Sequence, residues 1–122
     1  MGNIYLIRHG FTPTNNVNYN GQGKIRSIAE DKDMPLEREY GVRQALELGT
    51  YLNSIEGKTL ILASPYNRVR QTLNYALSNM KKNYEIIISD DLHEINSGVS
   101  FARTKDEVLE IYPNTSFYED FK

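Results

Sequence analysis

The feature that most limits how this chain can fold is the apolar run from Ile4 to Ile7, which leads directly into Arg8, His9 and Gly10. Four apolar or aromatic residues without polar alternation predict a strand buried on both faces, as in parallel sheets that helices cover on both sides. Such a strand delivers a guanidinium and an imidazole to the carboxyl edge of its sheet, where open α/β folds bind ligands. The functional site is therefore expected at that edge.

Composition limits the chemistry that this edge can support. The 122 residues suffice for one domain, and 14 basic against 16 acidic groups give a net charge of -2, so no general attraction to nucleic acid or a membrane surface is expected. The chain has no cysteine, which excludes disulfides and thiolate zinc sites, and its two histidines, His9 and His93, argue against a histidine metal site. We expect a cytoplasmic protein, because no apolar run reaches membrane-spanning length. We also expect that it needs no cofactor.

Apolar runs and helical periodicity alternate along the rest of the chain. The spacing predicts helices over 37–52 and 64–80, and a short helix over 104–111 that begins with a capping box at Thr104. Further strands are predicted at 59–63 and 84–89. The alternation of strands and helices is typical of a doubly wound sheet. The predicted fold class is thus α/β, with three α/β/α layers around a mainly parallel sheet.

A loop over residues 13–33 follows the first predicted strand. It is rich in asparagine and contains glycine, but it has no apolar periodicity. Loops of this length in a compact domain are usually functional or mobile.

Arg68 is notable for its position in the second predicted helix. With Ser64 as N-cap and Pro65 at the first helical position, Arg68 lies in the first turn or just past it. The helix dipole disfavours a cation there by a few tenths to about 1 kcal/mol. A bound anion would explain a cation at the start of the helix, because helix amides and a guanidinium together bind phosphate or carboxylate oxygens. The alternative is a solvated arginine on the helix surface.

Four stretches in order carry a family signature. They are Arg8-His9-Gly10-Phe11-Thr12 with Asn15, Gly41-Val42-Arg43-Gln44-Ala45, Ser64-Pro65-Tyr66-Asn67-Arg68 with Gln71-Thr72, and Leu92-His93-Glu94-Ile95 with Gly98. Together they resemble the histidine phosphatase superfamily, the phosphoglycerate-mutase-like proteins. One match alone would be weak, whereas four in the right order on the expected elements are specific. The resemblance covers residues 1–112, which we take as the domain, with 113–122 as a tail.

The resemblance implies a role for each matching residue. His9 is implied as the nucleophile that takes the phosphoryl group, and Glu94 as the proton donor to the leaving oxygen. The residues implied as ligands of the phosphate oxygens are Arg8, Arg68, Asn15 and Thr12. The implied substrate is a small phosphate ester, and no metal is needed because arginines neutralise the transferred charge.

Each role also has a structural alternative. His9 could merely cap the end of a strand. Arg8 could form an ion pair with one of the acidic residues that follow the third predicted strand. Glu94 could be one loop carboxylate among several, and Asn15 is equally common as a turn residue.

The implied reaction is phosphomonoester hydrolysis or transfer through a phosphohistidine, with a phosphatase favoured over a mutase because no large insertion separates Arg68 from Glu94. The alternatives are a non-catalytic phosphate-binding or interaction module, and a fragment that is inactive without its C-terminal part. Members of the family usually carry a later strand that ends in a second histidine, and no histidine follows His93. We therefore favour a fragment. Its first strand would lie at an exposed sheet edge, through which a homo-oligomer could form.

Overall fold

The computed structural model describes residues 2–15, 31–94 and 105–114. Its elements in chain order are a 3₁₀ turn at Pro13–Asn15, helix α1 at Tyr40–Asn53, strand β1 at Thr59–Ala63, helix α2 at Asn67–Asn79, strand β2 at Tyr84–Ile88 and helix α3 at Lys105–Ile111. The α/β class is confirmed, as are the three predicted helices and the two later strands, whose ends differ by a few residues from the prediction. The capping box at Thr104, Gly98 of the fourth motif and most of the predicted 13–33 loop lie outside the described residues.

Strands β1 and β2 form a parallel pair, with Thr59 opposite Tyr84 and Ala63 opposite Ile88. Within the described ranges the sheet consists of these two strands. Burial alternates along β1. Ala63 is buried, whereas the side chains of Leu60 and Leu62 are 56% and 59% exposed. Since successive strand side chains point to opposite faces, one face of β1 is covered. Helix α2 contacts this strand.

The first predicted strand is absent from the structure. Residues 2–12 contain no strand, and the side chains of Ile4 and Leu6 are 91% and 96% exposed. The prediction of a strand buried on both faces is therefore wrong for Ile4 to Ile7. A strand needs a hydrogen-bonding neighbour, and a buried one also needs covered faces. The two long helices pack against each other and leave this run exposed.

Small side chains allow α1 and α2 to pack closely. Ala45, Gly49 and Leu52 of α1 are buried, as is Ala76 of α2. These three residues of α1 belong to the apolar face that its spacing predicts, and the other two members of that face, Val42 and Leu46, are partly buried. In α2 the buried residues are Arg68, Thr72 and Ala76. Ala76 belongs to the apolar face that the spacing predicts for this helix, whereas the larger members of that face are only partly buried, namely Val69, Leu73, Leu77 and Met80.

Helix α2 begins at Asn67 and not at Ser64. Its N-cap is Tyr66, which has an extended backbone, and the hydroxyl oxygen of Ser64 accepts a hydrogen bond from the backbone N–H of Tyr66 at 3.2 Å. The predicted N-cap role of Ser64 is thus wrong, because its hydroxyl stabilises the bend before the helix. Arg68 becomes the second helical residue, well inside the first turn.

The chain divides into two compact units. The first contains residues 1–13 and 31–93, and so includes α1, β1, α2 and β2. The second contains residues 14–30 and 94–122, and in its described part Val108 of α3 is fully buried. The domain boundary at residue 112 stays a prediction. No helix in the described part of the chain is long and apolar enough to cross a membrane.

Candidate functional site

The Arg8-His9-Gly10 segment borders a cavity of about 320 Å³ in the first unit. The cavity is also lined by Ile7 and by residues from both long helices, namely Gln44, Ala45, Leu48 and Thr72. Arg8 is exposed and His9 is half-buried. Arg8 and His9 therefore border one cavity, but the segment that carries them is not the predicted strand, so they do not lie at the end of a strand as expected.

The ring of His9 is oriented by the backbone of the next residue. Its Nδ1 lies 2.7 Å from the carbonyl oxygen of Gly10. A carbonyl oxygen can only accept a hydrogen bond, so this contact requires a proton on Nδ1. In the neutral ring the lone pair is then on Nε2, which is the atom that a histidine nucleophile would use.

The backbone that follows His9 is held by side chains of both long helices. The N–H of Gly10 donates to the hydroxyl of Thr72 at 2.9 Å, and the N–H of Phe11 donates to Oε1 of Gln44 at 2.7 Å. A β-carbon on Gly10 would lie 2.7 Å from the carbonyl oxygen of Gly41, so only glycine allows this close approach to the start of α1.

Arg68 is buried in the structure, with a relative exposure of 3%. Its Nη1 donates to the carbonyl oxygen of Asp31 at 3.0 Å, and its guanidinium carbon lies 4.9 Å from the ring centroid of Tyr66. The alternative of a solvated arginine is therefore wrong. The carbonyl and the aromatic face both stabilise a cation in the first helical turn, where the dipole opposes it. Among the described residues, those lining the His9 cavity do not include Arg68.

Glu37 forms the N-terminal cap of α1 from outside the helix. Its carboxylate accepts hydrogen bonds from the backbone N–H groups of Glu39, Tyr40 and Gly41 at 3.0, 2.6 and 3.3 Å. These bonds lower the pKa of Glu37 because they stabilise its charged form, and the bond from Glu39 has the largest effect. The backbone N–H of Glu37 donates to the carbonyl oxygen of Phe11 at 2.9 Å. The cap thus connects the start of α1 to the segment after His9.

The remaining predicted site residues lie in different surroundings. Thr12 is almost fully buried, with a relative exposure of 1%. Asn15 ends the 3₁₀ turn, and Glu94 is exposed. Asn15 and Glu94 belong to the second unit, and the roles implied for these three residues stay predictions. No group of three or more potential metal ligands occurs among the residues that the structure describes.

Gln44 and Thr72 have contacts that sequence reasoning did not assign. Both belong to the stretches that resemble the family, but the motifs alone gave them no role. A signal was present in α2, where Thr72 lies four residues after Arg68 and four before Ala76 and so shares one helix face with them. A buried hydroxyl requires hydrogen-bond partners, and in the structure these are the carbonyl oxygen of Arg68 and the backbone N–H of Gly10.

Comparison with known proteins assigns the chain to a family. The model of the histidine phosphatase superfamily (branch 1) matches residues 4–119. A search of curated proteins finds no match.

Several solved structures share the fold. A candidate alpha-ribazole-5'-P phosphatase from Escherichia coli is 25% identical with a TM-score of 0.60, and the match covers 88% of this chain and 48% of that one. A mycobacterial glucosyl-3-phosphoglycerate phosphatase is 19% identical with a TM-score of 0.60, covering 87% and 44%. A phosphoserine phosphatase from Entamoeba histolytica is 22% identical with a TM-score of 0.51, covering 93% and 48%. The present chain thus spans about half the length of these proteins.

Proposed function

Because this chain belongs to the histidine phosphatase superfamily, we propose that it hydrolyses small phosphate monoesters with His9 as the nucleophile. The observation that carries the proposal is the contact between Nδ1 of His9 and the carbonyl oxygen of Gly10 at 2.7 Å. This contact fixes the tautomer in which Nε2 holds the lone pair. The ring lies at the edge of a cavity that Arg8 also lines.

The proposed reaction has two steps. In the first, Nε2 of His9 attacks phosphorus, the bond from phosphorus to the ester oxygen breaks, and the leaving oxygen takes a proton from Glu94. In the second, Glu94 takes a proton from the water that attacks phosphorus, and the bond between phosphorus and Nε2 breaks, which releases inorganic phosphate and restores the neutral ring. Arg8 and Arg68 are proposed to bind the phosphate oxygens with Asn15 and Thr12, since phosphoryl transfer depends mainly on positioning and charge neutralisation.

Hydrolysis is favoured over transfer to a second hydroxyl group, as a mutase would perform. The sequence contains no large insertion between Arg68 and Glu94. The Escherichia coli structure, which shares 25% identity with this chain, carries a phosphatase name. The identity of the ester is left open by this proposal, because a shared reaction class does not define a substrate.

The test uses a generic aryl phosphate and the 122-residue chain. The chain has only two histidines, so a phosphohistidine can form only on His9 or His93. We expect His9→Asn to abolish both turnover and an acid-labile phosphoryl label on the protein. The matched control His93→Asn should retain the label and at least half of the rate.

Three results would contradict the proposal. Turnover that survives in His9→Asn would point to a contaminating enzyme, and a label that follows His93 would place the nucleophile elsewhere. Absence of turnover and of label in the wild-type chain, combined with a rise in melting temperature on adding phosphate, would support the alternative of a non-catalytic phosphate-binding module.

Self-association of the chain is a further proposal, although residues 2–12 do not form the strand edge expected to mediate it. The apolar side chains of Ile4 and Leu6 are almost fully exposed, and exposed apolar runs favour association. Sedimentation velocity over a range of protein concentrations tests it, and a sedimentation coefficient that does not change with concentration would argue against a homo-oligomer.

A further inference from the structure

Two peptide groups next to the proposed nucleophile are held by side chains from different helices. The peptide between His9 and Gly10 donates its N–H to the hydroxyl of Thr72 at 2.9 Å. The peptide between Gly10 and Phe11 donates its N–H to Oε1 of Gln44 at 2.7 Å. Successive peptide planes are therefore fixed from α2 and from α1.

The second of these peptides is also the one that orients the imidazole. Its carbonyl oxygen accepts the hydrogen bond from Nδ1 of His9 at 2.7 Å, while its N–H donates to Gln44. Because a peptide group is planar, rotation of the Gly10 carbonyl away from the ring would also break the bond to Gln44. Gln44 thus acts on the ring through one rigid group.

Thr72 connects the same segment to the helix that carries Arg68. Its hydroxyl donates to the carbonyl oxygen of Arg68 at 2.7 Å and accepts from Gly10. A hydroxyl has one proton and can do both at once. Thr72 is buried, with a relative exposure of 5%, so water does not readily replace either bond. The segment after His9 and the first turn of α2 are therefore linked by one side chain.

We propose that Thr72 and Gln44 are positioning residues that fix the tautomer and the orientation of the His9 ring through the two peptide groups that flank Gly10. The expected effect on the rate rests on the proposed function, but the expected effect on the His9 ring does not. Neither residue exchanges a proton or a bond with the substrate. Both act on the His9 ring through the backbone that follows it.

The kinetic test compares variants that lose the hydrogen bond with variants that keep it. We expect Thr72→Val and Gln44→Met each to lower kcat for an aryl phosphate about 10- to 100-fold, since a misplaced reacting group has effects of this size. KM should change less than about three-fold, because the phosphate ligands are unaltered. Thr72→Ser, which retains the hydroxyl, should restore most of the rate.

Gln71 provides a matched control. Its Oε1 also accepts a backbone hydrogen bond, from the N–H of Leu36 at 2.8 Å, but that peptide is not one of the two that flank Gly10. Gln71→Met should therefore lose a comparable bond and leave kcat within about two-fold of wild type. An equal loss of kcat in Gln71→Met and Gln44→Met would overturn the inference, because the effect would then be one of general stability.

A spectroscopic readout separates the positioning role from the proposed function. At a pH of about 8.5, where an ordinary imidazole is neutral, nitrogen-15 spectra report which ring nitrogen carries the proton, and His9→Asn assigns the signals. We expect Nδ1–H in the wild-type chain and in Gln71→Met, and a mixture of tautomers in Gln44→Met and Thr72→Val. If the wild-type chain does not turn over, the function fails and these spectra still decide the inference. An unchanged tautomer in Gln44→Met would overturn it, even if Thr72→Val fails to fold.

Discussion

Gly49 of α1 lies directly against the carbonyl oxygen of Ala76 in α2, so close that a β-carbon at position 49 would overlap this oxygen. The same β-carbon would lie 2.9 Å from the β-carbon of Asn79. Contact at this distance requires a residue without a side chain. The pair therefore sets how closely the two long helices approach each other, and with it the positions of Gln44 and Thr72.

Gly49→Ala is expected to destabilise the chain by about 1–3 kcal/mol, because the helices must separate to admit the methyl group. A loss of stability would indicate the close helix contact, since replacing glycine by alanine inside a helix otherwise stabilises it by up to about 1 kcal/mol. The free energy of unfolding in urea measures the effect.

Thr50→Ala is the control for this substitution, because Thr50 is the next residue of α1 and is exposed. Here the higher helix propensity of alanine should leave stability unchanged or raised by a few tenths of a kcal/mol. A stabilised Gly49→Ala would show that α1 and α2 do not pack as closely as described.

Glu37 is expected to make stability depend on acid pH. Its pKa is lowered in the folded chain by the backbone hydrogen bonds at the start of α1, so the folded state binds its proton less readily than the unfolded state. The stabilisation is fully present above the ordinary glutamate pKa, about 4.3. It is lost as the pH falls through the lower value of the folded chain.

The measurement is the difference in unfolding free energy between wild type and Glu37→Gln across pH 3 to 7. We expect a constant advantage of the wild type above a pH of about 5.5 that shrinks below the ordinary glutamate pKa. Glu47→Gln, at an exposed position of α1, controls for the loss of one negative charge. A wild-type advantage that grows as the pH falls would contradict the expected sign.

Arg68→Lys is expected to weaken phosphate binding about ten-fold while keeping the positive charge, because an ammonium group lacks the planar fork that binds two oxygens. The loss of the bond to the carbonyl of Asp31 and of the stacking on Tyr66 should also lower stability by about 1–3 kcal/mol. The shift in melting temperature caused by added phosphate measures the first effect, and urea unfolding measures the second.

Arg70→Lys is the matched control for the phosphate effect. Arg70 lies two residues later in the same helix and is exposed. Its replacement should leave both the phosphate shift and the stability close to wild type. Equal phosphate shifts in wild type and Arg68→Lys would remove Arg68 from the proposed phosphate ligands.

The sequence by itself determined the elements whose signals are local. The periodicity over 37–52 and 64–80 and the apolar runs at 59–63 and 84–89 predict helices and strands that the structure contains. Such patterns are reliable because burial of one helix face or strand face depends on residues close together in the chain. The ordered motifs that begin with Arg8 and His9 likewise predicted the family that the comparison shows.

The tertiary structure alone decided what depends on distant partners. Ile4 to Ile7 have a strand composition, but no strand of the described residues pairs with them and they remain exposed, because strand pairing is made between segments and not within one. Gln44 reaches the backbone of Phe11 from 33 residues away, and Thr72 reaches Gly10 from 62. No local pattern specifies such bonds, since they exist only once α1 and α2 have packed together.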